Sequence, residues 1–394
     1  MDATGGDVMS ISFWQDDTQP GDVVTADVII VGAGISGASA AWWLKDAGLK
    51  VVVLDKGDIC AGASGKNAGF ITCGSVEHFN RQMERMGVED ALTLWKMSQD
   101  NIDLIEELLV EDGLECDFAR KGTYSLAGTE RELVELKETC DTLVGLGVKV
   151  EWVEREQVAR DLRAEHFTGG VLYQDDGEVH PVKLVRGILE RSGARFFPNH
   201  EVHDITSTGD TVTVKTQRAT FEGTLCVLAT NGYSHHVHSW FRDKIYPTRG
   251  QIIVTEPVAP FLPAPCYANF VLDYFRQLPD GRVLIGGFRQ LEKETEVGTA
   301  DEPSLVIHEA LETFLHKHFP HLRGVKIDYR WAGIMGFSVD GLPMIGALPG
   351  QQNVFFLGGY TAHGIGWGFK AGQLLSKAIL EGEQPPIISA RRLH

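Results

Sequence analysis

The run DVIIVGAGISG at residues 27–37 constrains this chain more than any other stretch. Val28 to Val31 are β-branched and apolar without interruption, the pattern of a strand buried on both faces in a parallel sheet. Gly32, Gly34 and Gly37 then complete a G-x-G-x-x-G turn into an Ala-rich helix. The first glycine permits a tight turn, the second lets the backbone approach phosphates, and the third lets helix and strand pack closely. At Ile35 and Ser36 the helix start offers N–H donors and partial positive charge to a pyrophosphate. The helix stops at Gly48, and a second strand over 51–54 ends at Asp55-Lys56, about 20 residues past the turn, where an acid meets ribose hydroxyls. These features predict a bound dinucleotide. The competing reading, a membrane span over 28–44, fails because the stretch is short, glycine-broken and bounded by Asp27 and Lys45.

The next segment, GASGKNAGFI at 62–71, is a run of small and polar residues directly after the second strand. Such a composition suits a loop whose backbone lies against a flat ligand. It resembles the GASxRNxG segment of the D-amino-acid oxidase superfamily of flavoproteins. The resemblance implies FAD, with Ala63, Ser64, Lys66, Asn67, Ala68, Gly69 and Phe70 beside the isoalloxazine ring. Lys66 stands where Arg is usual in that family, which keeps the charge and loses the planar fork.

With 394 residues the chain can bury a large core, and its length fits two domains. A net charge of −18 disfavours nucleic acid or an anionic membrane surface as partner and favours cationic substrates at long range. The six cysteines show no C-x-x-C and no zinc spacing, which predicts reduced core thiols, no metal site and a soluble cytoplasmic enzyme. The N-terminal arm lacks a basic n-region and does not read as a signal peptide; its Ser12-Phe13-Trp14 is expected to dock on the body of the protein.

Beyond the loop, apolar residues recur at helical spacing (Leu92, Trp95, Ile102, Ile105, Leu109, then Leu133, Leu136, Cys140, Leu143), with a short strand over 122–126 between them. A helix over 182–190 starts at Pro181, and strands are expected over 202–205, 211–216 and 221–228, the last ending in Ala229-Thr230-Asn231-Gly232. A second excursion carries strands over 247–254, 270–276 and 283–288, a helix over 305–319 and a strand over 329–331. The fold class is therefore α/β (α+β), a Rossmann-like FAD-binding domain of the glutathione-reductase type with an interleaved mixed-sheet substrate domain. The dinucleotide domain is expected to comprise 1–75, 150–235 and 333–394, and the substrate domain 76–149 and 236–332.

The C-terminal runs WAGIMGFSVDGLPMIG (331–346) and NVFFLGGYTAHGIG (353–366) resemble the same family's WxG…DxxPxIG and GxxGHG signatures. Within that family the Ser12-Phe13-Trp14 arm, the Tyr274 to Gly287 run and the Gly359 to Gly366 run most resemble the gamma-glutamylputrescine oxidoreductase branch. The resemblance extends the cofactor set to Val202, Ala229, Thr230, Asn231, Gly232, Gly333, Gly336, His363, Gly364, Ile365 and Gly366, with Val202 at the adenine. The helix that opens at Gly364 would present its positive end to the flavin. Relatives place a basic side chain at the position of Gly366, so here the helix dipole acts alone.

Two absences bear on chemistry. Amino-acid oxidases of this family clamp a carboxylate with Arg in WxGxRP; here that position is Met335, which favours an amine without an α-carboxylate, or a carboxylate held by Arg249, Arg276 or Arg289. The cysteine that links FAD covalently in sarcosine oxidases has no counterpart in 333–339, so non-covalent FAD is expected. The implied reaction is hydride transfer from an amine carbon to flavin, with O2 or another acceptor; an amino-, imino- or 2-hydroxy-acid oxidoreductase is the alternative. His363, Tyr274, Arg276 and Tyr360 are the candidate catalytic residues, His180 a lesser one, and Leu284 occupies the place of an oxygen-assisting Lys.

Overall fold

In the computed structural model, which describes residues 21–74 and 79–393, the Val28–Val31 strand lies inside a six-stranded sheet. The Ser12-Phe13-Trp14 arm lies outside the described residues. The spatial order is Met344–Ala347, Val354–Gly358, Leu225–Leu228, Val28–Val31, Val51–Leu54, Arg195–Phe197. All neighbours pair parallel except Met344–Ala347, which is antiparallel at one edge. Strand alternation sends Val28 and Ile30 into a layer of helices (Ile35–Trp43, Pro181–Ser192, Gly364–Leu380) and Ile29 and Val31 onto a four-stranded sheet on the opposite face. That sheet orders Asp22–Thr25, Ala219–Gly223, Thr211–Thr216, Val202–Thr208.

The strand expected over 221–228 is two strands in two sheets. Ala219–Gly223 belongs to the four-stranded sheet and Leu225–Leu228 to the six-stranded one. The step between them is fixed by Asp27, whose carbonyl accepts the N–H groups of Thr224 at 3.2 Å and Leu225 at 3.0 Å.

A second, eight-stranded sheet orders Ile327–Ser338, Ile245–Thr255, Val283–Gly286, Asp273–Gln277, Cys266–Ala268, Thr123–Ala127, Gly169–Tyr173, Val150–Glu154. The helix Leu305–His318 covers one face, burying Leu311 and Leu315 with Phe275 and Ile285. Strand pairing divides the chain differently from the expected boundaries. Val150–Glu154 and Gly169–Tyr173 pair beside Thr123–Ala127, so the first excursion returns after residue 173 instead of at 150. Conversely the helix Val88–Ile105, expected in the substrate domain, packs on the dinucleotide layer: Asn101 donates to Ile365 O and accepts from Phe369 N and Lys370 N. The strand read over 329–331 extends across Ile327–Ser338, paired along its length with Ile245–Thr255, and its far end meets the segment after Val354–Gly358 through Thr361 N donating to Gly336 O.

The segment 270–272, expected as strand, is a left-handed loop. Asn269, Phe270 and Val271 have φ of +51°, +55° and +60°, and the strand begins at Asp273. Buried Glu132 accepts the Phe270 N–H at 2.6 Å and holds this uncommon backbone in place.

Candidate functional site

A cavity of about 1050 Å³ runs from the glycine turn to the start of the Gly364–Leu380 helix, at the top of the size range of small-molecule sites. At one end it is lined by Gly32, Gly34, Ile35 and Ser36, with Asp55 and Lys56. Asp55 Oδ2 accepts the Ala33 N–H at 2.7 Å and Oδ1 that of Gly57 at 2.8 Å. Burial raises this carboxyl above the usual range against the pull of those two donors. Gly32 has φ +112°, and a Cβ there would lie 2.6 Å from Ala229 O. Gly37 does not line the cavity; its missing side chain makes room for the Gly32 carbonyl, so its contribution is to packing.

The 62–71 loop forms one side, with Ala63, Ser64, Lys66, Asn67, Ala68 and Phe70 lining. Ser64 Oγ accepts from Ile35 N at 2.9 Å, and Asn67 ties the loop to itself through Ala63 O, Ser64 O and Gly69 N. Lys66 forms an ion pair with Asp301, while its carbonyl accepts from Trp331 Nε1 at 3.1 Å. Val202, Ala229, Thr230, Asn231, Gly232 and Gly333 also line the cavity. Gly69 and Gly336 stand behind it: a Cβ on Gly336 would lie 2.5 Å from Asn231 Oδ1, and one on Gly69 would run into Val179 O.

At the other end His363, Gly364, Ile365, Gly366, Tyr274 and Tyr360 converge. The loop before them is strained, with Thr361 at φ +49° and Ala362 at +74°, and is held by Thr361 N donating to Gly336 O and by Thr361 Oγ1 bonding Ser338. His363 Nδ1 lies 3.3 Å from Thr72 Oγ1, and its ring stacks on Tyr267 at 6.3 Å and 21°. Burial lowers its pKa to about 4, so the imidazole is neutral at physiological pH. Tyr360 OH bonds Ser36 Oγ at 2.8 Å, joining this end to the first helix. Phe70, Tyr267 and Tyr274 meet edge to face, with centroids 5.0, 6.0 and 6.4 Å apart.

Three other candidates do not reach the cavity. Arg276 is buried and donates to Gly69 O and Val179 O at 3.1 Å each, beside Glu178; it braces the 62–71 loop from behind. Arg249 is engaged by Glu296 and by the carbonyls of Thr295 and Ala300. His180 caps the Pro181–Ser192 helix by accepting from Lys183 N.

Residues 27–378 match the family model described as FAD dependent oxidoreductase, DAO. The chain belongs to this family of FAD-dependent oxidoreductases. It is 29% identical over 377 residues to the probable oxidoreductase OrdL of Haemophilus influenzae, covering 91% of this chain and 84% of that one. It is also 29% identical over 380 residues to the gamma-glutamylputrescine oxidoreductase of Escherichia coli, with the same shares covered. Among solved structures, glycine oxidase from Geobacillus kaustophilus superposes with a TM-score of 0.79 at 24% identity, over 92% of this chain and 96% of that one.

The residues present fit FAD. A glycine turn at a helix start, an acid at the end of the next strand and a second helix opening on the same cavity would hold its pyrophosphate, ribose and ring in one continuous space. Gly32 and Gly366 let the backbones around that space pack closely, since a Cβ on Gly32 would meet Ala229 O and one on Gly366 would lie 2.6 Å from Thr72 O. No cysteine is among the described residues that line it. Nor do the described residues include a His, Cys, Asp or Glu cluster placed to hold a metal, or a helix long and apolar enough to cross a membrane. Sequence reasoning missed Tyr267, Thr72 and Phe337, which line the flavoenzyme's cavity; Thr72 directly follows the recognised loop and was within reach, whereas Tyr267 carries no local signal.

Proposed function

We propose that this flavoenzyme oxidises the C–N bond of a small amine, giving an imine that water hydrolyses to a carbonyl compound and an amine or ammonia. Bound FAD supplies the chemistry by accepting a hydride from the carbon that bears nitrogen. The protein's task is to receive the neutral amine, orient it and exclude water. The observation that carries the reading is the wall at Met335: a thioether occupies the place of the carboxylate clamp, in a cavity also lined by Phe70, Tyr267, Tyr274 and a neutral His363.

A histidine with a pKa near 4 is a poor acceptor for an ammonium proton. It is well suited to hydrogen bonding a neutral amine: when Nδ1–H donates to Thr72 Oγ1, Nε2 is the acceptor that faces an amine N–H. The aromatic rings enclose the carbon chain and keep water away. The test is an anaerobic titration of the FAD-loaded protein with amines, amino acids and 2-hydroxy acids, followed in the visible spectrum. Bleaching by amines is expected; bleaching by hydroxy acids alone, or by none of these compounds, overturns the proposal.

A further inference from the structure

One guanidinium in the cavity has no carboxylate to answer it. Of the lysines and arginines that line the space, Lys66 pairs with Asp301, Arg81 with Glu135, and exposed Lys56 lies over the Tyr233 ring at 3.9 Å. Arg289 is half-buried, and among the described residues no carboxylate lies within ion-pair distance; it lies over the face of Phe337, at 4.3 Å, with the neutral phenol of Tyr274 nearby. Of the acids that line the cavity, Asp55 is bonded at the glycine turn, Asp301 holds Lys66, and Glu201 adjoins Val202 without pairing Arg289. Burial depresses the Arg289 pKa, the mark of a cation stripped of water without an anion in exchange.

Its position is built. Buried Asp273 accepts the Phe288 N–H at 2.8 Å and holds a turn in which Gly287 (φ +130°) and Phe288 (φ +57°) swing the next residue inward. From the end of Val283–Gly286 the side chain reaches across Ile245–Thr255 to Phe337 on the far strand. Met335 and Phe337 both line the cavity from that strand, and successive residues on one face of a strand are about 7 Å apart. The guanidinium therefore stands at Phe337, two residues along the strand from the place of the missing clamp.

We infer that Arg289 anchors a carboxylate that the substrate carries away from its reacting carbon, so that the enzyme acts on amines with a remote carboxylate in preference to α-amino acids or uncharged alkylamines. The inference rests on the C–N oxidation reading above. A planar fork stacked on an aromatic face keeps its N–H edges for two parallel bonds to a carboxylate, and the rings of Tyr274 and Tyr267 cover the methylenes between.

The test compares γ-aminobutyrate and ε-aminocaproate with butylamine, hexylamine and alanine in the anaerobic titration of the FAD-loaded enzyme and its Arg289→Gln and Arg289→Lys variants. Glutarate, which has no amine, is titrated separately and read from its perturbation of the flavin band. The expected result is half-bleaching by an ω-amino acid at a concentration about 10- to 100-fold below that of the matching alkylamine, with the gap closed in Arg289→Gln and partly kept in Arg289→Lys. Equal responses to both amine types in wild type and Arg289→Gln overturn the anchor and leave amine oxidation standing. Bleaching by alanine in preference overturns the remote placement. If no amine bleaches the flavin but glutarate binds and Arg289→Gln weakens it, the anchor stands and the amine reading falls.

Discussion

His363 sits at the mouth of a helix and beside an aromatic wall, and its proton affinity follows from that setting. Burial brings its folded-state pKa to about 4, from an ordinary 6.5. Below pH 6.5 the unfolded chain takes up a proton that the folded one refuses until near pH 4, so stability falls as pH drops through that window and is fully present above it. His363→Asn removes this titration. Thermal unfolding between pH 7 and pH 4 should therefore show a larger loss for wild type than for the variant, while His318, held near the same value by burial, contributes equally to both. Identical losses would show that the His363 ring is solvated. At this scale the sequence was legible in part. Alternation along Asp273–Gln277 places Tyr274 and Arg276 on one face, but that Gly69 and Val179 cover the second of them is a matter of tertiary contact, with no trace in the local pattern.

Elements with a regular period were read well and their junctions poorly. The stripe Leu136, Cys140 and Leu143 is buried on the helix Glu130–Gly145 as its spacing predicts, and Val28–Val31 and Val51–Leu54 are strands at their expected bounds. The left-handed run at Asn269 to Val271 and the step at Thr224 escaped notice, because each is set by one distant group, Glu132 in the first case and the Asp27 carbonyl in the second. The crossing of the Gly32 turn and the Ile35–Trp43 helix is tighter than any side chain permits, since a Cβ on Gly37 would overlap the Gly32 carbonyl oxygen. Gly37→Ala should cost about 3 kcal/mol and reduce bound flavin, read as a lower urea midpoint and a lower ratio of flavin to protein absorbance. An unchanged midpoint would mean that strand and helix separate more easily than this packing implies.

For the whole molecule, the glycine turn together with the Val51–Leu54 strand, the 62–71 loop and the C-terminal runs announced the dinucleotide layer, and the second sheet was harder to see because its strands come from chain segments on either side of that layer. Leu284, expected where oxygen-using relatives carry Lys, is buried against Ala68 and Phe70, and Lys66 is held by Asp301. Flavin reduced anaerobically by substrate should therefore reoxidise slowly in air-saturated buffer and quickly with an artificial electron-accepting dye; fast reaction with air would assign oxygen as the acceptor.

The same interleaving bears on how the polypeptide is made. Leu225–Leu228 flanks the nucleotide-binding strand, but its other edge is paired by Val354–Gly358, and Thr123–Ala127 waits for Cys266–Ala268. A nascent chain emerging from the ribosome thus leaves one edge of Leu225–Leu228 open until Val354–Gly358 has been made and one edge of Thr123–Ala127 open until Cys266–Ala268 has been made, and those edges are templates for association. Production of this enzyme should depend on chaperone capacity more steeply than its finished stability would suggest, and C-terminal truncations ahead of residue 354 should accumulate in inclusion bodies.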